Sequence, residues 1–387
     1  MNSWFLKLSL YSAIMNLVFT PFLPAISRIF GYLTIASFFM SVIFTMCRRK
    51  KVVIHKTALG MTIAVLISFV TSLHAFQISS IGGLIDDILS VLSFIFFYIA
   101  LSIDRTSQDI LSLDDVFRAN NILCVMLLCF AFGPFEFKNE VINEYGGTLF
   151  TLGLGNPNGV ALYVMFAVVF LIIQIYNVNS KFTRVKNIIV AAALIYVMFL
   201  LSSRTVFLCA LLIIGAYFLH IPKVFKWLSY FVVLSPIFLF VLQMKIPELD
   251  FASVQILGKS IDTGRPELYQ KMFAQLAASP MNLPFGNLCN YYFYNAHNGA
   301  LTILLTLGLS GLVMYLVFWN HQMRLLRNIC TDKSQKMAFI ALMMVLLHAS
   351  SESMCVVGTI PFSIFIVVIM KIAKGDIKCK SGKSAKR

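Results

Sequence analysis

Long, unbroken apolar runs restrict the fold of this chain more than any other feature of its sequence. An α-helix needs about 20 mostly apolar residues to cross a bilayer, and stretches of about this length recur along almost the whole chain. Strands of a transmembrane β-barrel would alternate apolar and polar residues instead. The pattern therefore predicts an all-α polytopic membrane protein with about 12 transmembrane helices. The predicted spans are residues 4–22, 29–47, 57–77, 84–102, 116–134, 158–177, 187–202, 205–221, 225–244, 299–319, 335–350 and 356–373.

The amino-acid composition is also that of a membrane-embedded chain. Hydrophobic residues make up 59% of the sequence and charged residues 12%, whereas a soluble domain has roughly 45–50% and 25%. This excludes a soluble globular enzyme, a disordered chain and a collagen-like fibre. We expect one helical bundle over residues 1–373 and a basic cytoplasmic tail over residues 374–387.

The chain has a net charge of +15, and the distribution of its basic residues predicts its orientation in the membrane. The Lys and Arg residues lie in short loops between apolar runs, which is the pattern of the positive-inside rule and not of a nucleic-acid-binding patch. With twelve spans, 24 of the 31 basic residues fall on the side of the N-terminus and 7 on the other. We therefore expect both termini in the cytoplasm and no nucleic acid as a partner.

One outer loop, residues 245–298 between spans nine and ten, is too long to be a simple connector. It contains a predicted helix, because Gly264 favours a turn and Pro266 suits the first helical position. Pro280 and Pro284 bound this helix. An apolar stripe at helical spacing would hold it on the rim of the bundle, and the stripe consists of Leu268, Met272, Phe273 and Leu276.

Two arginines stand out on the outer side, where positive charge is scarce. Arg204 follows Ser203 in a tight hairpin between spans seven and eight, and Arg265 precedes the predicted loop helix. A guanidinium beside the free N–H groups of a helix start can bind an anion. The alternatives are an Arg204 that snorkels to the head groups and a solvated Arg265 that pairs with a neighbouring acid.

His297 and Asn298 lie where the long loop enters span ten. A neutral histidine can accept a proton from a hydroxyl group near pH 7, so His297 is a candidate general base; the alternative is an interfacial histidine without a chemical role. The preceding Tyr291 and Tyr294 are candidates for a sugar-stacking platform. An aromatic belt at the membrane surface is the interpretation that we favour for these tyrosines.

Three further polar residues face the same side. Asn156 suits the N-cap position before Pro157, so the segment Asn156–Asn158 predicts a helix start, and Asn156 and Asn158 also add amide groups to an outer cleft. Glu352, between spans eleven and twelve, is an acid on this side. We treat these residues, together with Asn298, as candidate substrate-binding groups.

The sequence contains no Walker loop, zinc motif or nucleophile elbow. It also lacks the acidic cluster with which soluble sugar-nucleotide transferases bind a metal. Any chemistry at this face is therefore expected to need neither nucleotide, metal nor other cofactor. A donor activated by a lipid diphosphate satisfies that condition.

These residues, in this order, resemble the bacterial O-antigen polymerase and ligase superfamily. The resemblance runs from about Ser202 to Leu312 and includes Ser203–Thr205, Gly264-Arg265 and His297-Asn298, with Asn156–Asn158 upstream. It continues into span ten at Leu301, Leu305, Gly308 and Gly311. The earlier spans match the family only in hydropathy.

The resemblance implies a metal-independent glycosyltransferase in a GT-C-like helical bundle of the bacterial inner membrane, with its active face in the periplasm. Its donor would be a glycan on undecaprenyl diphosphate. Arg204 and Arg265 would hold the diphosphate, and His297 would activate the acceptor hydroxyl. Polymerases of this kind act with a flippase and a chain-length regulator in lipopolysaccharide biosynthesis.

Polymerase, ligase and transporter remain alternatives at this point. A polymerase extends another lipid-linked repeat unit, whereas a ligase transfers the glycan to lipid A–core. Ligases of the family often carry a second His just before the His-Asn pair, and here the sequence is Tyr294-Asn295-Ala296, which favours the polymerase. A secondary transporter of twelve spans is a third possibility, although the short link between spans six and seven does not favour it.

Overall fold

The computed structural model describes most of the chain, and almost all of the described part is α-helical. The described residues are 2–47, 54–72, 81–103, 111–133, 140–142, 148–154, 156–201, 203–219, 222–245, 255–256, 259–260, 265–288, 297–353 and 361–377. Their helices are α1 (Asn2–Phe19), α2 (Pro24–Cys47), α3 (Lys56–Ser72), α4 (Ile81–Ser102), α5 (Leu113–Phe132), α6 (Pro157–Asn177), α7 (Lys181–Leu200), α8 (Arg204–Leu219), α9 (Pro222–Lys245), α10 (Arg265–Ala277), α11 (Asn282–Phe285), α12 (Gly299–Ile329), α13 (Lys333–His348) and α14 (Phe362–Ala373).

The expectation of a helical fold is confirmed, and its apolar helices are consistent with a helical membrane protein. Each of the twelve predicted spans falls on one of the helices, and α10 and α11 lie in the long loop. Within the described residues, five helices are long and apolar enough to cross a membrane, namely α2, α5, α6, α7 and α12. Further apolar helices are shorter, so the count of twelve spans stays a prediction.

Two short antiparallel hairpins accompany the helices. Strand β1 (Glu140–Ile142) pairs with β2 (Thr148–Phe150), and β3 (Gln255–Ile256) pairs with β4 (Lys259–Ser260). Both hairpins lie between helices, outside the apolar runs. They add local structure to two loops and leave the architecture helical.

Polar side chains fix the starts of several helices. Ser112 and Asp115 form a capping box at the start of α5, and Asp332 and Gln335 form one at the start of α13. A capping box satisfies backbone N–H groups that have no partner inside the helix. These caps explain why the apolar helices begin at definite residues.

The buried centre of the bundle is built around α6. In its most apolar stretch, 94% of the residues are buried, against 28% for α2 and for α7. Phe166 of α6 stacks on Phe365 of α14, with ring centroids 5.3 Å apart. Helix α6 also packs against α5, α7, α8 and α13. The helices α2 and α7 therefore present most of their apolar surface to the surroundings, as lipid-facing helices do.

Helix α12 is broken in its first half. Gly308 has φ +67°, outside the helical region, and the chain continues as a helix on both sides. A Cβ atom on Gly308 would meet the backbone of Pro284 and Phe285, and one on Gly286 would meet the backbone of Thr306 and Leu307. The segment around α11 is thus packed backbone to backbone against the break, which only glycine permits at both positions.

The predicted loop helix is confirmed as α10. Its Tyr269, Met272 and Leu276 are buried against Leu301 and Leu305 of α12, with Leu268 and Phe273 partly buried at the same contact. The apolar stripe therefore holds α10 on the first half of α12. This packing has the predicted spacing, and it adds Tyr269 to the predicted stripe.

The packed part of the chain extends past the predicted start of the tail. Lys374 is buried, and its Nζ donates to the carbonyl of Leu101 at 2.9 Å. Ile377 is buried as well. Residues 374–377 therefore pack with the bundle, because a lysine that bonds to a helix-end carbonyl caps α4 instead of entering water. The boundary between bundle and tail stays a prediction.

Candidate functional site

Three chain segments meet around one buried carboxylate, that of Glu352. Its side chain is 3% exposed. Asn158, in the first turn of α6, donates to its Oε1 at 2.6 Å. The Nδ1 atom of His297 lies 3.2 Å from each carboxylate oxygen. Three of the predicted site residues, far apart in sequence, are therefore in direct contact.

The partners explain why an acidic side chain is tolerated here. Burial of a charged group costs several kcal/mol unless the group is paired and hydrogen-bonded. The carboxylate of Glu352 accepts hydrogen bonds from the amide of Asn158 and from the imidazole of His297. The backbone N–H of Glu352 donates to the carbonyl of His348 at 3.1 Å. The contact with His297 thus helps to offset the free-energy cost of burying the Glu352 carboxylate, and it also orients the imidazole.

His297 is held in a conformation that L-residues rarely adopt. Its φ is +45°, in the left-handed region that is costly for a side chain with a Cβ atom. The side chain is 34% exposed, so the ring reaches from the buried carboxylate toward the outside. Because a carboxylate only accepts hydrogen bonds, the contact with Glu352 makes Nδ1 the donor. In the neutral ring, the Nε2 atom is then the proton acceptor.

Asn298 joins the start of α12 to two other segments. Its Nδ2 donates to the carbonyls of Pro236 at 2.9 Å and of Ser350 at 3.0 Å, and its Oδ1 accepts from the N–H of Leu301. The residue is fully buried. The structure therefore gives Asn298 a structural role at the base of the site, and its predicted contact with substrate stays a prediction.

A proline inside α9 makes this junction possible. Pro236 has no N–H, so the helix lacks its usual bond to the carbonyl of Val232. Ser235 Oγ donates to that carbonyl at 2.9 Å and also lies 2.8 Å from Ser350 Oγ. The interruption of α9 therefore brings hydroxyl and carbonyl groups to the segment that carries Glu352.

Asn156 and Pro157 form the helix start that the sequence predicts. The side chain of Asn156 accepts from the N–H of Asn158 at 2.9 Å, and Pro157 is the first residue of α6. The cap fixes the first turn and so directs the side chain of Asn158 toward Glu352. Asn156 and Pro157 thus form the predicted helix start, whereas Asn158 contacts another candidate site residue, Glu352.

Arg204 is the first residue of α8, and the predicted topology puts it at the same end of the bundle. The carbonyl of Ser203 accepts from the N–H of Phe207 at 2.9 Å, which starts the helix. Further along, Cys209 Sγ donates to the carbonyl of Met344 in α13. Met344 lies four residues before His348, and a helix rises about 1.5 Å per residue. Cys209 lies five residues after Arg204, so Arg204 is level with the end of α13 when α8 and α13 are antiparallel, as the predicted span order requires.

Arg265 begins α10, and the packing of α10 indicates which end this is. Helix α10 contacts Leu301 and Leu305, and the chain then reaches the break of α12, where the N–H of Asn287 donates to the carbonyl of Leu305 at 2.9 Å. The C-terminal end of α10 is thus nearer to the break. We infer that its start, at Arg265, lies toward the end that carries His297.

The remaining predicted residues lie outside the described part of the structure. These are Tyr291 and Tyr294, and for Arg265 the backbone is described but not the side chain. Within the described residues, no group of three or more His, Cys, Asp and Glu side chains could hold a metal ion. The predicted roles of the two tyrosines and of the guanidinium stay predictions.

Sequence reasoning missed the residues that hold the site together. Pro236, Ser235 and Ser350 were not singled out, although a proline within an apolar run and the polar run Ser350–Ser353 are visible in the sequence. The carbonyl of His348, at the end of α13, accepts from Ser351 Oγ at 3.1 Å as well as from the N–H of Glu352. A proline in a predicted span is the signal that could have found the junction.

Comparison with known proteins gave no match: no protein-family profile, no curated protein and no solved structure is significantly similar to this chain.

Proposed function

We propose that this protein is a lipid-linked glycosyltransferase that joins oligosaccharide repeat units carried on undecaprenyl diphosphate, as O-antigen polymerases do. The observation that carries the proposal is the contact between His297 Nδ1 and the buried carboxylate of Glu352, at 3.2 Å. A histidine oriented by a carboxylate is a recurring form of general base. It lies on the face that also carries the starts of α8 and α10.

In this mechanism His297 removes the proton from the acceptor hydroxyl. The Nε2 atom takes the proton as the hydroxyl oxygen attacks the anomeric carbon of the donor sugar. The imidazolium that forms is stabilised by Glu352, which Asn158 holds in place. The orientation of the ring is set before substrate arrives, so no free energy is spent on ordering it during the reaction.

The bond between the anomeric carbon and the diphosphate breaks in the same reaction, and undecaprenyl diphosphate leaves with the electron pair. Its phosphate oxygens gain negative charge as the bond breaks. Arg204 and Arg265 are assigned to stabilise that charge, because a guanidinium can donate two parallel hydrogen bonds to a phosphate. The products are the extended lipid-linked glycan and undecaprenyl diphosphate.

The location of the enzyme follows from the same proposal. The bundle would have twelve spans and a GT-C-like architecture in the bacterial inner membrane, with both termini in the cytoplasm and the His297 face in the periplasm. The support is the distribution of the basic residues, 24 on one side and 7 on the other. A flippase would deliver the repeat units and a chain-length regulator would act on the growing glycan.

A secondary transporter is the second candidate, because a helix broken inside the membrane is typical of transporter substrate sites. Helix α12 has such a break at Gly308. The carbonyls that the break frees are already engaged: Leu305 accepts from Asn287, Thr306 from Ser68 Oγ and Leu307 from Ser310 Oγ. These carbonyls already accept hydrogen bonds, so they are poorly placed to coordinate an ion. The break in α12 is therefore better explained as the docking site of α11 than as a substrate site of a transporter.

The test is a reaction of the purified protein in detergent with a synthetic undecaprenyl-diphosphate-linked repeat unit. We expect a ladder of glycans, unchanged when EDTA is added. Transfer to lipid A–core without any ladder would identify a ligase. The absence of transfer to either acceptor, from protein that remains folded, would contradict the proposed activity.

A further inference from the structure

Helix α3 packs along α12 over most of its length. Three contacts follow one another along the two helices, namely His55 with His321, Gly60 with Met314, and Ser68 with Thr306. The residue numbers rise along one helix as they fall along the other, so the two helices run in opposite directions. We call this contact the α3–α12 seam. It ends in a pair of histidines, far along α12 from His297.

The two imidazoles at this end of the seam are stacked on each other. The ring centroids of His55 and His321 are 3.6 Å apart, and the ring planes are 29° from parallel. Both side chains are partly exposed, so protons from water can reach them. The Nδ1 atom of His55 lies 3.1 Å from Thr57 Oγ1. A hydroxyl group can donate or accept, so Thr57 accommodates the His55 ring with or without an added proton.

Protonation changes the energy of this stacked pair. Histidine gains its charge between about pH 8 and pH 5. Two neutral rings stack favourably, and a cation over the face of a neutral aromatic ring is attracted to it. Two positive charges at this separation repel each other, because the Coulomb energy rises as the distance falls. The stacked arrangement therefore accommodates one added proton and opposes the second.

The neighbouring helices supply no negative charge to offset that repulsion. At this end α3 packs against α4 and α12, and α12 also packs against α9. In the described parts of these four helices, the charged residues near the pair are all basic, namely Lys56 on α3, Lys223 and Lys226 on α9, and Arg324 and Arg327 on α12. The last turns of α4 are uncharged. A second proton on the pair therefore meets no carboxylate on these helices.

We propose that His55 and His321 form a pH-sensitive contact: α3 rests on α12 while at most one imidazole is protonated, and the two helices separate at this end when both are. The separated state binds one proton more, so acidification favours it and a rise in pH restores the contact. Further along the seam, Ser68 Oγ donates to the carbonyl of Thr306 at 2.5 Å and holds the helices together. The contact responds to the pH on its own side of the membrane, which the predicted topology makes the cytoplasm.

Distances between spin labels test the proposal in the full chain without an assay of glycan transfer, so the outcome is independent of the proposed function. p-Acetylphenylalanine is introduced at Leu59 and Val317, which are 53% and 44% exposed and lie one helical turn from the two histidines. Nitroxides are attached through the ketone, so the native cysteines stay unlabelled. Pulsed EPR is recorded at about pH 8 and about pH 5, on either side of the titration of histidine. We expect the mean distance to increase at the lower pH by about 2 Å, a typical helix shift at an interface.

His321→Gln and His55→Gln each leave only one ring that can gain a charge, and either variant serves if the other does not fold. Each is expected to show the same label distance at both pH values. A reference label pair at Leu66 and Leu309, both exposed and further along the seam, should show no change with pH in the wild type. A constant distance for the first label pair in the wild type, or an undiminished increase in either variant, would overturn the proposal. An equal increase at the reference pair would indicate general loosening in acid and would overturn the histidine contact as its cause.

Discussion

At the scale of single residues, the backbone of His297 is the unusual feature of the site. A left-handed φ on a residue with a side chain persists only where its surroundings hold it. Here the next residue, Asn298, is fixed by three hydrogen bonds, and Glu352 holds the ring. The strain and the contact with the carboxylate together set the direction of Nε2.

We predict that His297→Ala abolishes glycan transfer while the protein still inserts in the membrane and still binds its lipid-diphosphate donor. Removal of a general base typically costs about 10²–10⁴-fold in rate, so trace product is compatible. The measurements are single-turnover transfer and donor binding by the purified variant. Loss of donor binding would instead assign His297 to the diphosphate site, and a normal rate would remove it from the mechanism.

Glu352→Gln tests the orienting carboxylate. The amide of glutamine has nearly the same shape as the carboxylate, but its NH₂ group donates hydrogen bonds. Nδ1 of His297 can then accept instead of donate, so a smaller fraction of the molecules has Nε2 as the proton acceptor. We expect the transfer rate to fall by about 10²–10⁴-fold, as for loss of the base itself. Asp114→Asn, an exposed acid in the first turn of α5, is the control and should transfer normally. An unimpaired Glu352→Gln enzyme would limit Glu352 to a structural role.

At the scale of elements, the break in α12 fixes the position of the loop helices. Gly286 and Gly308 both have positive φ, and a Cβ atom on either would lie within 2.4 Å of backbone. We predict that Gly286→Ala and Gly308→Ala each lower the free energy of unfolding by roughly 1–3 kcal/mol or more, seen as a lower melting temperature in detergent.

Gly215→Ala is the control for these variants, because a Cβ atom there meets nothing within 4 Å and alanine favours the helix. It should leave the melting temperature unchanged or raise it slightly. If Gly308→Ala melted like Gly215→Ala, the close backbone packing around α11 would not contribute to stability.

The starts of α8 and α10 carry the two arginines assigned to the diphosphate. We predict that neither Arg204→Lys nor Arg265→Lys restores full polymer length, although each keeps its charge, because lysine is a point donor and cannot reproduce the bidentate fork. Glycan length is compared on gels at matched protein levels. Wild-type chain length from either variant would identify that arginine as a snorkelling or surface residue.

Helix positions were predictable from the sequence, and helix ends were predictable only in part. The tenth predicted span, residues 299–319, stops where Asn320, His321 and Gln322 begin, but α12 continues to Ile329. Hydropathy detects where lipid ends, whereas a helix stops only where its backbone hydrogen bonds are replaced. The break at Gly308 was not predicted, since a glycine inside an apolar run is also compatible with a continuous helix.

At the scale of the whole molecule, the predicted orientation in the membrane rests on the basic residues. We predict that reporter fusions at Lys51 and Lys259 report opposite sides, with Lys51 in the cytoplasm and Lys259 in the periplasm. The reason is the 24-to-7 division of Lys and Arg, which sets topology through the positive-inside rule. Reports from the same side would end the twelve-span topology and the shared active face.

Which helices meet was beyond the sequence. The predicted span order and orientation place His297, Glu352, Arg204 and Asn158 on one side of the membrane, yet they do not say which of these residues touch. The contact of Asn158 with Glu352 joins positions 194 residues apart, and it depends on α6 and α13 being neighbours in the bundle. Apolar helices in lipid give little sequence signal for their partners, because lipid tails are as apolar as the helix faces.

The same separation has a consequence for biosynthesis. At about 5–20 residues per second, the ribosome needs on the order of 10–40 s to pass from Asn158 to Glu352, which are 194 positions apart. During that interval the amide of Asn158 is already at its helix start while its acidic partner has not been made. The bundle can assemble around α6 first, and the site becomes complete only when α13 has been inserted and Glu352 has followed it. Under the proposed mechanism, a nascent chain would therefore be inert toward substrate until nearly its last helix has been made.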